Sequence, residues 1–182
     1  MRTVSIEAGD VTAEAFAPFG WLPVDDTDPA DGAHTLAFEW GDPHCNVISH
    51  ARDEVVHTDA GALCTRMYRH DTHTQVLMPM NVEAILAVAP ADVDFAGAAD
   101  LDAVRAFRLH PGEVLVLHRG TWHWGPFPLG GEPVRLLNVQ ARGYLGDNAH
   151  VDLPEVLGAA VEVVVRPSRG LPETLLSEGS GG

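Results

Sequence analysis

The sequence predicts an all-β fold, a sandwich or a barrel. Two observations carry this. Short apolar runs rich in valine, leucine and aromatic residues recur along the 182 residues. Glycine, proline and aspartate punctuate them at close intervals, and few stretches have helical character. With 46% apolar residues, a chain of this length buries roughly 70% of its unfolded surface as one domain. That domain is expected over residues 1–165, with a flexible tail over 166–182.

Thr3-Val4-Ser5-Ile6 alternates and opens the chain. Thr12 is a good N-cap for a short helix over Ala13–Ala17, which Pro18 and Gly20 end. Trp21–Val24 reads as a short strand, and the acidic, turn-rich Asp25–Gly32 as a loop. Strands are expected near Leu36–Trp40 and Asn46–His50, with Asp42-Pro43 turning between them. Thr65–Tyr68 and Thr74–Met80 form two more strands, or one strand broken around Arg69–His73. Val82–Val88 is a strong apolar strand closed by Pro90. A loop of small and acidic residues runs from Ala91 to Asp102, and Val104–Leu109 alternates as a strand. Pro111-Gly112 then turns the chain into Val114–Leu117, and Val134–Val139 is the last clear core strand. Further on, Pro154 suits the first turn of a short helix, and Val161–Val165 reads as a strand.

Net charge is −15, and all eleven basic side chains are arginines. With no lysine, a lysine Schiff base is excluded. So acidic a chain is a poor partner for nucleic acid, whose phosphates demand a basic footprint. No apolar run reaches the ~18 residues of a membrane span, so no membrane partner is expected. Met1–Glu7 lacks the apolar core of a signal peptide, which points to the cytoplasm. Cys45 and Cys64 cannot build a disulfide framework and are expected to be reduced.

Chemistry concentrates in two stretches, Pro111–Trp124 and Tyr68–Gln75. In the first, Gly120 frees the backbone to turn between His118-Arg119 and Trp122-His123-Trp124. Aromatic walls with a few polar groups are the make-up of a ligand pocket. His118 and His123 are candidate acid–base groups, because imidazole titrates near neutrality. Burial between Trp122 and Trp124 would leave His123 neutral. Arg69, Arg119 and Arg142 present planar forks that suit a small carboxylate. Residues two apart in a strand share a face, so His73, Gln75 and Leu77 point one way. His70 points the other way unless Asp71-Thr72 makes a bulge. The trial ligands for a divalent metal are His70, His73, Gln75 and His123.

At these residues the chain resembles the ureidoglycolate lyase (ureidoglycolate hydrolase) family, small cupin-fold proteins of allantoin breakdown in purine degradation. The likeness runs from Thr12 to about Gly143. It is carried by the helix that ends at Phe19-Gly20, by Arg69-His70 with Thr74-Gln75 and Met78-Pro79-Met80, and by Leu101–Phe107 with His118-Arg119 and Trp122-His123. The resemblance implies a cupin-type double-stranded jelly-roll β-barrel, with a short N-terminal helix and a C-terminal extension, usually as a homodimer. It also implies a carbon–nitrogen lyase that cleaves ureidoglycolate to glyoxylate and urea. By position, His70, Gln75, His118, Arg119, Trp122 and His123 would line the pocket. His70, His118 and His123 would be catalytic, and Arg69, Gln75, Arg119, Trp122 and Arg142 would bind substrate. The family commonly has an acid at Tyr68, a lysine at Asn81 and an aspartate at Ala141. This chain has instead gained His73 and Trp124. Three readings follow: a lyase of this type or a variant for another small hydroxy-carboxylate, a metal-dependent oxygenase or isomerase, and a non-catalytic carboxylate binder.

Overall fold

The computed structural model describes residues 1–23 and 42–166. The strand expected at Leu36–Trp40, the loop at Asp25–Gly32 and the tail after Arg166 lie outside the described residues. In chain order the elements are β1 (Arg2–Asp10), α1 (Ala13–Phe16), β2 (Gly20–Trp21), β3 (Pro43–His50), β4 (Val56–His57), β5 (Gly61–Cys64) and β6 (Arg66–Arg69). Then follow β7 (Gln75–Pro79), β8 (Ala84–Ala89), β9 (Arg105–Leu109), β10 (Leu115–Leu117), β11 (Trp122–Pro128) and β12 (Val134–Ala141). The last are β13 (Ala149–Asp152), α2 (Leu153–Leu157) and β14 (Ala159–Val164).

The strands form two sheets. One runs β13-β6-β11-β8-β9-β1-β14-β5-β4, the other β2-β10-β7-β12-β3. Most pairings are antiparallel, but β1 lies parallel to both β9 and β14. The all-β fold expected from the sequence, and the jelly-roll that the family resemblance implies, are what is observed.

The core follows from side-chain alternation along β8. All six of its residues are buried. Leu86 and Val88 point one way, into Phe16, Phe19, Phe107, Leu115 and Leu117. Ile85, Ala87 and Ala89 point the other way, into Phe95, Leu101, Trp122 and Trp124. A strand apolar on both faces belongs between two packed layers, as its unbroken apolar sequence implied.

Thr12 caps α1, its hydroxyl accepting from the Ala15 N–H at 3.2 Å. Asp152 caps α2 in the same way, Pro154 lies in its first turn, and Gly158 at φ 62° ends it. Trp122-His123-Trp124, read from sequence as part of a pocket turn, instead opens β11. Its pairing with β8 shifts register between Trp124 and Phe127, around Gly125-Pro126, and then resumes. Gly20 lies where β2 meets β10, and a Cβ there would fall on the Val116 carbonyl oxygen, with the Phe16 ring at 2.9 Å. Gly20→Ala is therefore expected to destabilise the fold by about 3 kcal/mol, the upper part of the overpacking range, as read by chemical denaturation. Among the described residues no helix is long and apolar enough to cross a membrane.

Candidate functional site

The site forms where the chain crosses from one sheet to the other. β6 belongs to the larger sheet and β7 to the smaller. Residues 70–74 connect them and carry His70 and His73 between the layers. The break expected around Arg69–His73 thus falls where the site is built. His123 reaches the same space from β11, opposite Tyr68 of β6 and Val88 of β8. Gln75 enters from the first position of β7.

A cavity of about 210 Å³ lies between the sheets, lined by His70, His123 and Tyr68, by Gln75 and Gln140, and by Tyr144 and Asn148 of the loop after β12. Deeper in, His70, His73, Gln75, His118 and His123 share a narrow space. The His70 and His73 rings stack with centroids 4.7 Å apart, and those of His70 and His123 are 5.4 Å apart.

Each of the three buried rings is held at Nδ1 by an oxygen. His70 Nδ1 meets the Asp147 carbonyl at 2.8 Å, and His123 Nδ1 meets the Thr121 carbonyl at 3.2 Å. His73 Nδ1 meets the Asp147 carboxylate at 3.2 Å. A carbonyl or an ionised carboxylate only accepts, so all three Nδ1 atoms carry the hydrogen. A neutral ring then presents a bare Nε2.

The rings are neutral at ordinary pH. Burial lowers the His123 pKa most, the nearby His70 adds to this, and the value falls to about 3. Burial also lowers His70, against its hydrogen bond to the Asp147 carbonyl, which favours the charged form. His73 is lowered by burial and then by His70, with Asp147 again opposing. Burial works against the Asp147 carboxylate, yet the Thr72 hydroxyl and N–H, then the Asp71 N–H and His73, hold it below the usual range.

The arginines do not join this pocket. Arg69 lies over the Trp122 ring at 4.6 Å and pairs with Asp71 at 3.1 Å. Trp122 turns into the core beside Phe95 and donates its indole N–H to the Val93 carbonyl at 2.7 Å. Both side chains point away from the histidines because Trp122 has the opposite parity to His123 on β11. Arg142 is exposed and pairs with Asp42 at 3.2 Å. Arg119 is exposed and outside both cavity linings. Of the groups expected to bind substrate, only Gln75 lines the cavity. Its Nε2 donates to Asn138 Oδ1 at 2.8 Å, and its Oε1 is buried without a partner. His118 is exposed, its ring tilted against Trp21 with centroids 5.2 Å apart, and borders only the inner space. For the metal set, the structure groups His70 and His73 with Asp147, their ligand atoms within 4.8 Å of one another. His123 is not in that group.

The departures at Tyr68, Asn81, Ala141 and Trp124 fall in different places. Tyr68 lines the cavity. Asn81 ties the turn after β7 by donating to Glu132 and to the Pro133 carbonyl and accepting from the Arg135 N–H. Ala141 ends β12 opposite Pro43, and Trp124 packs on Phe127. Asp147 has no cue in the sequence, lying in a Gly146-Asp147-Asn148 run indistinguishable from a surface turn.

Two facing sheets with imidazoles gathered between them define a cupin-type jelly-roll barrel. The chain belongs to the ureidoglycolate lyase family, whose model matches residues 3–161. No curated protein matches it. Among solved structures it is similar to a Bacillus subtilis oxalate decarboxylase mutant, with 16% identity, a TM-score of 0.39, and coverage of 63% of this chain and 24% of that one. The formate complex of Lactobacillus farciminis oxalate decarboxylase matches at 14% identity and a TM-score of 0.38, over 63% of this chain and 27% of that one. The chain thus spans about a quarter of the length of these structures.

Proposed function

We propose that the protein is a carbon–nitrogen lyase that cleaves ureidoglycolate, or a close hydroxy-carboxylate analogue. The observation behind this reading is His70, a neutral imidazole with a bare Nε2 that lines the cavity in a stretch the family likeness covers. His70 Nε2 takes the proton of the carbinol hydroxyl. The O–H electron pair becomes the carbonyl of glyoxylate as the C–N bond breaks. The departing nitrogen receives the proton from His70 and leaves as urea. One imidazole carries one proton from oxygen to nitrogen, so no co-reactant is needed. His123 suits the role less well: at a pKa of about 3 it is too weak a base near neutrality. With no arginine in the lining among the described residues, the substrate carboxylate would meet the neutral groups of Gln140, Tyr144 and Asn148.

That lack of a cation favours a second reading, a divalent metal in the same histidines. The fit is good: His73 Nε2 is buried without a partner, beside His70 and Asp147. His70, His73 and Asp147 would hold the ion. When bound, it would supply the positive charge that the lining lacks. One experiment addresses both readings. Protein purified without chelator is assayed for urea and glyoxylate release, and its metal content is measured. Equimolar urea and glyoxylate are expected; no turnover by folded protein, with or without added divalent metal, overturns the lyase. Absence of stoichiometric metal removes the second reading.

A further inference from the structure

Asp147 ties the histidine segment down at several points. Its carboxylate accepts from the Thr72 N–H at 2.8 Å, the Thr72 hydroxyl, the Asp71 N–H at 3.1 Å and His73 Nδ1 at 3.2 Å. Its main-chain carbonyl accepts from His70 Nδ1 at 2.8 Å. A residue 74 positions away from His73 thus grips both imidazoles at Nδ1. His73 is almost wholly buried, and its Nε2 has no partner.

We propose that Asp147 is a positioning residue that locks His70 and His73 in the Nδ1–H tautomer, so that His70 presents a bare Nε2 in the lining of the substrate cavity and His73 a bare Nε2 in the inner space beside it. The assignment rests on the lyase reading only for what the bare nitrogens then do. An imidazole without this grip exchanges between two tautomers, and in aqueous solution the Nε2–H form is the commoner one. The two contacts act together. The carboxylate anchors the loop through Thr72 and Asp71, which holds the Asp147 carbonyl against His70. The same carboxylate orients His73, whose ring stacks on His70 and keeps it from turning. Carboxylate partners of metal-ligating histidines fix ring orientation in this way, at a cost of about 10- to 100-fold when lost, and the same physical grip acts here on two imidazoles.

The test reads tautomers directly. In ¹⁵N-imidazole spectra of the intact chain, His70, His73 and His123 are each expected as the Nδ1–H form. Asp147→Ala is expected to shift His70 and His73 to mixed or Nε2–H forms. His123, held by the Thr121 carbonyl, should stay unchanged and serves as the internal control. Thr72→Val should give a weaker shift in the same direction, and Thr72→Ser should restore the original spectrum. This second pair keeps the test valid if Asp147→Ala does not fold. kcat for urea release should fall about 10- to 100-fold in Asp147→Ala, with KM moving less. Unchanged His70 and His73 tautomers in folded Asp147→Ala overturn the proposal. So does stoichiometric metal in the original protein that Asp147→Ala loses, because Asp147 would then be a ligand. Shifted tautomers in a protein that never cleaves ureidoglycolate would uphold the grip and overturn the lyase reading instead.

Discussion

His70→Ala is expected to lower kcat for urea release by about 10²- to 10⁴-fold, the range general acid–base catalysis contributes. The size of the effect follows from one ring carrying the proton both ways: without it, the hydroxyl loses its acceptor and the leaving nitrogen its donor. KM should change little, because the cavity walls and the polar groups of Gln140, Tyr144 and Asn148 remain. His118→Ala serves as the contrast. Its ring is exposed on Trp21, so its loss should cost less than 10-fold by about the margin expected of a group outside the proton path. Steady-state kinetics on the two variants separate them. Equal losses would place the proton carrier elsewhere.

Acid is expected to unfold this protein early. A histidine in the unfolded chain titrates near 6.5, whereas His123 in the fold titrates near 3. Between these values the unfolded chain binds a proton that the folded chain refuses. Stability is therefore full above about pH 6.5 and falls as pH drops toward 3, by about 1.4 kcal/mol per pH unit for this one ring. Over the whole window the loss is on the order of 5 kcal/mol, comparable to the stability of an ordinary domain. His70 and His73 are lowered too and act in the same direction. Asp147, held below its usual value, adds a further loss as pH falls below the ordinary carboxylate range. Denaturation midpoints between pH 7 and pH 4 would show the slope, and His123→Phe should flatten it. A level profile for the original protein would mean that these rings are charged, or exposed, in the fold.

Much of the barrel was legible because strand periodicity is a local property. Val134–Val139 shows it directly, and the unbroken apolar run of Val82–Val88 is as local a signal; both are core strands. Thr12 was legible as a cap for the same reason. β5 and β13 were not, since Gly61–Cys64 and Ala149–Asp152 are short and owe their strand form to the neighbours they pair with. At the site, His70, His123 and Gln75 were legible as members of one cavity. The arginines misled because proximity in sequence on a strand says nothing of face: Trp122 and His123 are adjacent and point oppositely. Asp147 could not be read at all, because its role is a contact across the fold rather than a motif.

The pairing of β1 with β14 bears on how the protein is made. Ser5 and Glu162, joined by a hydrogen bond, are 157 positions apart. β14 also carries β5 on its other side, and β1 carries β9. The larger sheet therefore cannot be zipped up as the ribosome delivers it. Its first strand must wait, one edge open, until residues 159–164 have emerged. Such long loop closures make for slow folding, in the range of milliseconds to seconds. During that interval β1 offers unpaired backbone to any passing strand, which makes nascent and refolding chains the stage at which this protein is most exposed to aggregation.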